Sequence, residues 1–178
     1  MNHADHVALL ARGVTQGEGG TWADLGAGTG AFTLALADLI GPHGVIHAID
    51  RDRAALAELR SAFVSSVPQA ELRARTADFT RRLDLAADLD GVVMANSLHF
   101  VEDKAAVLAL VRGYLKHGGR LLVVEYDSDR GNPYVPHPLS FETWQDLAAT
   151  AGFVETRRLA TVPSRFLQRI YSALSLAP

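Results

Sequence analysis

The sequence predicts an α/β fold, a doubly wound sheet of about seven strands. It is mostly parallel, with an antiparallel hairpin strand at the C-terminal end and helices on both faces. Three observations carry this expectation. Short apolar runs alternate with longer helical patterns along most of the 178 residues. Strands separated by helices join through right-handed crossovers into parallel neighbours. The run "LLVV" at 121–124 is apolar at every position, as a strand covered on both faces must be.

The elements are read in order. Residues 1–20 hold an N-terminal helix. "TWADLG" is the first strand and "AFTLALADLI" the helix after it, followed by the turn "GPHG". "VIHAID" is the second strand and "DRAALAELRSAFVSSV" its helix. "AELRART" is the third strand and "DGVVMAN" the fourth, with the helix "KAAVLALVRGYLKH" behind it. "GGRLLVVEY" is the fifth. The loop "DSDRGNPYVPHPLS" is dense in Pro, Gly, Asn and Asp. A helix "FETWQDLAATAG" follows, and "FVETRRLATVPSRFLQRIYSALSL" reads as the two strands of a closing hairpin. The length suits one well-buried domain over 1–178 and is short for two. Within it, 21–126 forms a ligand-binding core and 127–178 a second side made of loop, helix and hairpin.

Composition narrows the function classes. A net charge of -3 provides no basic field, so no nucleic-acid partner is expected. The absence of Cys removes disulfides, thiolate chemistry and Cys-ligated zinc together, and fits a reducing cytoplasm, the expected location. No signal peptide is visible, and no apolar stretch reaches the ~20 residues of a membrane span. His3 and His6 can share a helix face, but two His without a third ligand make a poor metal site, so no metal is expected. A cap or flap over the ligand is the better reading of that helix.

Glycine recurs at 26, 28 and 30, directly after the first strand. Glycine loses the most backbone freedom on folding, so its repetition implies that the backbone must be bare there. In doubly wound sheets ligands bind beyond the carboxyl ends of the strands, where strand order reverses. The loop Gly26, Ala27, Gly28, Thr29, Gly30 falls at that point and opens into a helix whose N–H groups attract negative charge. Dinucleotide dehydrogenases place their third Gly three positions after the second, and here it comes after two. Asp24, two residues before the first Gly, would repel a pyrophosphate and suit a cation such as an ammonium or sulfonium. Asp50 ends the second strand, 20 residues after Gly30, and is placed to accept hydrogen bonds from a ribose diol.

Together "DLGAGTG", "GPHGVIHAID", "TADF", "DGVVMANSLHF" and "GGRLLVVEY" resemble the class I S-adenosylmethionine-dependent methyltransferases, whose fold is Rossmann-like, over nearly the whole chain. The resemblance implies S-adenosyl-L-methionine as cofactor and S-adenosyl-L-homocysteine as product. Asp24 and the glycine loop would hold the methionine end, and Asp50 the ribose. Asp78 would face the adenine amine, and the Phe79 backbone the ring. Asn96, with Ser97, would help place the amino group. The family usually has a hydrophobic residue after the ribose acid; Arg51 departs from this, and its guanidinium would stack on the adenine instead. Asp78 as a turn cap and Phe79 as plain core are the milder readings.

The acceptor is expected on the remaining rim. Methyl transfer is an in-line displacement, so the protein must align the nucleophile and exclude water. A protonated nucleophile also needs a base. His99, just after the fourth strand, is the candidate base, against the alternative that it only hydrogen-bonds the backbone. Tyr126, Asp127, Arg130, Asn132 and Tyr134 are candidate substrate contacts. So is Arg165 in "PSRF", which could pair with Asp127 or bind a substrate carboxylate. The loop and "TVPSRF" look like a subgroup of small bacterial methyltransferases. No large inserted lid is present, so the pocket is open or is completed by the N-terminus or by a second subunit in a homodimer. Two other functions compete: a non-catalytic S-adenosylmethionine-binding partner protein, and an NAD(P)-dependent oxidoreductase. The latter is disfavoured by the glycine spacing, Asp24 and the lack of a Tyr-x-x-x-Lys pair. A small-molecule methyl acceptor is the expected substrate.

Overall fold

The elements follow the predicted alternation, and a computed structural model describes residues 1–66, 69–164 and 166–178. They are α1 (His3–Leu10), β1 (Gly20–Leu25), α2 (Ala31–Ile40), β2 (Gly44–Asp50), α3 (Arg53–Ser66), β3 (Glu71–Thr76) and β4 (Leu89–Ala95). A short 3-10 turn (Leu98–Phe100) leads to α4 (Lys104–Arg112), β5 (Leu115–Tyr126), α5 (Phe141–Thr150), β6 (Val154–Pro163) and β7 (Arg169–Leu176). Among the described residues seven strands form one sheet, ordered β3-β2-β1-β4-β5-β7-β6. The first five run parallel; β7 pairs antiparallel with both β5 and β6. Strand order reverses between β1 and β4, which places the glycine loop at the switch point.

Strand alternation builds a core on each face. Trp22, Ile46, Val93, Leu122 and Val124 pack with α1 and α2 on one side. Val92, Met94, Leu121 and Val123 pack with α4 and α5 on the other, around the fully buried Trp144. Each such side chain stabilises the fold by ~1.5–3 kcal/mol, and this two-sided burial is why "LLVV" is apolar throughout. Ser140 caps α5 by accepting from the Thr143 N–H, and Asp103 caps α4 through Ala106.

Two boundaries differ from expectation. The helix predicted to reach His117 ends at Arg112, because Gly113 terminates it and Tyr114 is needed elsewhere. The Tyr114 hydroxyl accepts from the Leu83 N–H at 2.7 Å, and its carbonyl from Leu89. Consequently β5 starts at Leu115, before the predicted glycines, and pairs with Leu89 before a register shift resumes pairing at Gly91 and Arg120. The N-terminal helix does not form a flap. It packs along α2, where His3 Nε2 meets Asp38 at 2.7 Å and the His6 ring packs at a tilt against Phe32. No described residue of α1 lines the cleft identified below. No described helix is long and apolar enough to cross a membrane.

Candidate active site

The C-terminal ends of β1, β2, β3 and β4 surround one cleft of about 380 Å³. The loop after β1 contributes Gly26 and Gly28, and the end of β2 contributes Asp50, Arg51 and Asp52. Ala77, Asp78, Phe79 and Thr80 follow β3. Asn96, Ser97, Phe100 and Val101 follow β4. Eight predicted cofactor residues are thus neighbours in space. Asp24, Ala27, Thr29 and Gly30 do not line this cleft.

The three glycines answer three different demands. A Cβ on Gly26 would lie 2.5 Å from the Ser97 Cβ, so this glycine lets the β4 loop close over β1. A Cβ on Gly30 would meet Leu59 Cδ1 at 2.2 Å, so this one lets α3 approach. Gly28 differs. Its φ is +52°, in the left-handed region, yet nothing lies within 4 Å of the added atom. Its missing side chain therefore leaves open cleft.

Asp50 bridges this loop and the next. One carboxylate oxygen accepts from the Gly28 N–H and the other from the Asp52 N–H, both at 2.8 Å. An ionised carboxylate has about four acceptor positions, so about two remain for hydroxyl donors from the cleft. Asp24 sits beneath the loop, 1% exposed, and accepts from the Thr33 hydroxyl at 2.6 Å. Burial pushes its carboxyl up to about 6 against that hydrogen bond, and the charge of Asp50 adds to the rise. The residue predicted to meet a cation directly thus acts from below, where it adds a second acid to the field of the site.

Asp78 borders the cleft and also closes a turn. Its Oδ1 accepts from the Thr80 hydroxyl and N–H at 2.7 and 2.9 Å, which holds the carboxyl below its usual range. Phe79 packs against the core with part of its ring facing the cleft. Asn96 adopts a left-handed φ of 52°, a conformation Asn tolerates better than most residues. Asn96 Oδ1 and the Ser97 hydroxyl oxygen are buried without a hydrogen-bond partner. Such orphaned atoms cost ~1–3 kcal/mol each and mark a place for a ligand's polar groups.

On the other side of the Phe100 wall, His99 is 3% exposed. Its Nδ1 lies 2.7 Å from Oε2 of Glu125, itself fully buried in β5. Sequence reasoning did not single out Glu125. The available signal was an acid closing a fully apolar run, since a buried carboxylate needs a partner.

The predicted substrate loop is largely self-satisfied. Asp127 Oδ1 accepts from the Phe141 N–H at 3.0 Å, and its Oδ2 faces Arg158 at 3.3 Å and Arg169 at 3.8 Å. Arg165, expected as a partner for Asp127, lies outside the described residues. Asn132 Oδ1 accepts from the Tyr134 and Val135 N–H groups, forming a turn. Tyr126 is half-buried beside the His99 ring. Arg130 and Tyr134 are exposed. No group of three or more His, Cys, Asp or Glu among the described residues is arranged to hold a metal ion.

A doubly wound sheet with an acid beside a glycine loop at the switch point is the architecture of nucleotide-binding α/β proteins. A family model described as a methyltransferase domain matches residues 23–121. The chain belongs to that family, a class I S-adenosylmethionine-dependent methyltransferase family, and the oxidoreductase alternative falls. A search of curated protein sequences finds no match. Solved structures share the fold. An arsenic(III) S-adenosylmethionine methyltransferase from Chlamydomonas reinhardtii aligns with a TM-score of 0.73 and 21% identity over 93% of this chain. The chain spans 64% of that protein's length. An S-adenosylmethionine-dependent methyltransferase from Aquifex aeolicus aligns over the whole of both chains, with a TM-score of 0.71 and 15% identity. A Bacillus halodurans C-125 protein provisionally assigned as a methyltransferase gives 0.77 and 14%, covering 98% of this chain and 99% of that one.

The family's cofactor is S-adenosylmethionine, and the cleft fits it. The backbone is bare at Gly28, Asp50 has acceptor capacity to spare, and the oxygens of Asn96 and Ser97 are unpartnered.

Proposed function

We propose that this protein transfers the methyl group of S-adenosylmethionine to a small-molecule acceptor entering beside Phe100 and His99. The observation that carries the reading is Gly28, whose absent side chain opens into a cleft beside an acid with acceptor positions to spare. Asp50 takes the ribose diol, while Arg51, Asp78 and Phe79 border the adenine. Asn96 and Ser97 meet the methionine amino group. Asp24 and Asp50 place two acids at one site, which favours a cationic ligand. Bound there, the cofactor supplies a methyl group on a sulfonium sulfur, already activated for in-line displacement.

The chain's own work is then positional. Residues 21–126 hold the cofactor, and 127–178 frame the acceptor's side. Aligning two reactants and excluding water removes much of the barrier to a displacement. Thermal shift tests the cofactor assignment: S-adenosylhomocysteine raises the melting temperature and NAD(P) does not. Equal shifts with both, or none with S-adenosylhomocysteine, would overturn it. Labelled-methyl transfer to any member of a small-molecule library tests catalysis against the non-catalytic alternative.

A further inference from the structure

His99 and Glu125 form a buried pair for which cofactor binding has no use. Glu125 faces two nitrogens of His99: the backbone N–H donates to Oε1 at 3.2 Å, and the ring Nδ1 lies 2.7 Å from Oε2. A carboxylate can only accept. Against a Glu125 carboxylate Nδ1 is the donor, and a neutral ring then keeps its lone pair on Nε2. The Nδ1 edge is closed by a side chain that is 0% exposed, so the Nε2 edge is the one left to reach outward.

The pair is also clamped. The His99 ring packs against Phe100, at 4.3 Å between centroids, and against Tyr126, at 5.7 Å. The His137 N–H donates to the His99 carbonyl at 2.9 Å, which ties the 127–140 loop to the same turn. Phe100, next in the chain, is 59% exposed and lines the cofactor cleft. Holding a backbone N–H requires only a neutral oxygen. Burying a carboxylate for that purpose alone costs several kcal/mol of desolvation.

We propose that Glu125 is the positioning residue of a Glu125–His99 dyad that presents the Nε2 lone pair to a methyl acceptor carrying a dissociable proton. The acceptor class is a small hydroxyl, thiol or N–H compound, and the proposal rests on the methyltransferase reading above. The proton of the acceptor X–H bond passes to Nε2. The electron pair of that bond stays on X, whose lone pair forms the new X–CH3 bond. The S–CH3 bond breaks with its electrons left on sulfur. The resulting imidazolium faces the Glu125 carboxylate and returns its proton to water. Glu125 never touches the acceptor.

The test needs no identified acceptor. Nitrogen-15 NMR of the imidazoles is recorded on the wild type, Glu125→Gln and Glu125→Asp, with S-adenosylhomocysteine affinity measured on each by calorimetry. Wild-type His99 shows hydrogen on Nδ1 and a bare Nε2. Glu125→Gln, whose amide can donate, shifts the tautomer toward hydrogen on Nε2, and Glu125→Asp restores the wild-type pattern at least in part. Cofactor affinity stays within about two-fold. Diethyl pyrocarbonate then reports access: wild-type His99 is modified, with the exposed His43, His117 and His137 as controls, and Glu125→Gln slows modification of His99 alone. A wild-type ring with hydrogen on Nε2, or a His99 that never reacts while the controls do, overturns the dyad. Neither outcome touches the methyltransferase reading, which fails only if S-adenosylhomocysteine does not bind the wild type.

Discussion

Asp50 and Asp127 are both acids at the C-terminal end of a strand, on the same rim of the sheet, and their surroundings are opposite. Asp50 is half-buried, and each of its oxygens receives one backbone N–H. Its remaining acceptor positions face the cleft. Asp127 has a side chain only 8% exposed, with one oxygen on the Phe141 N–H and the other between two arginines. Near Asp50 lie the bare backbone of Gly28 and the orphaned oxygens of Asn96 and Ser97. Near Asp127, Asp129 holds the Ser140 N–H and Asn132 closes its own turn. The lesson is that a polar residue's type does not mark a ligand site. Unused hydrogen-bonding capacity on the wall of a cleft does: the Tyr171 hydroxyl near Asp127 is also unpartnered, but it is sealed in the core where no ligand reaches it, whereas Asn96 and Ser97 line the cleft.

The strongest way to break this contrast is Gly28→Val. The space would admit a side chain, but the left-handed φ opposes a β-branched residue, and the new atoms fill the cleft. S-adenosylhomocysteine affinity should fall at least ~100-fold, or ~2.7 kcal/mol, in a protein that circular dichroism shows still folded. Normal affinity in calorimetry would remove the loop from the site.

Asp50→Ala should weaken the same ligand by ~1–3 kcal/mol, the range for hydrogen bonds to a charged acceptor. The substitution also frees the Gly28 N–H, so an analogue lacking the 2′ and 3′ hydroxyls should lose part of this and the parent ligand more. Equal losses for both would restrict Asp50 to shaping the loop.

Asp24 sharpens the comparison through pH. Its carboxyl is raised by burial from 3.8 to about 6. Between those values the folded protein holds a proton that the unfolded chain has released. The stability from this group is complete below about pH 4, falls as pH rises toward 6, and is level above. Asp24→Asn removes the titration while keeping an oxygen for Thr33. Urea denaturation should show the variant gaining on the wild type between pH 4 and 7, by up to roughly 3 kcal/mol. At pH 7 the same variant should bind cationic S-adenosylmethionine a few-fold more weakly relative to S-adenosylhomocysteine. A constant gap across the pH range would contradict the buried, raised acid.

Asp127→Ala should cost ~1–3 kcal/mol of stability in the same measurement, since it strands the N-terminus of α5 and two arginines. Cofactor affinity should remain within two-fold. The smallest effects belong to Arg130→Ala and Tyr134→Ala, both exposed, whose stability should change by less than ~0.5 kcal/mol. If either alters KM for an acceptor once one is found, these residues act on the ligand and not on the frame.

Much of this rim was legible in the sequence. The glycine loop, Asp50, Asp78 and Asn96 announce themselves because each lies at the end of a predicted strand, and parallel strands bring all such ends to one edge. The loop after β5 was legible as polar but not as satisfied. Whether Asp127 meets solvent, a ligand or Arg158 depends on where β6 and β7 return, with the two arginines more than thirty residues later. Asp24 likewise read as a direct contact with a cation, and only the position of Thr33 beneath the loop shows its carboxylate already engaged.

The sequence alone determined the alternation of strand and helix, the parallel core, and the point where a nucleotide would sit, because these follow from local periodicity and from the chirality of crossovers. Tertiary structure decided which glycine opens onto empty space. Gly26, Gly28 and Gly30 are indistinguishable as letters, and differ only in whether Ser97, empty space or Leu59 stands opposite. It also decided that Glu125 and His99 are partners. They are 26 residues apart, on adjoining strand ends, and no local pattern joins them. Burial, close approach and hydrogen-bond satisfaction are properties of pairs distant in sequence, and the folded chain is the first place where those pairs exist.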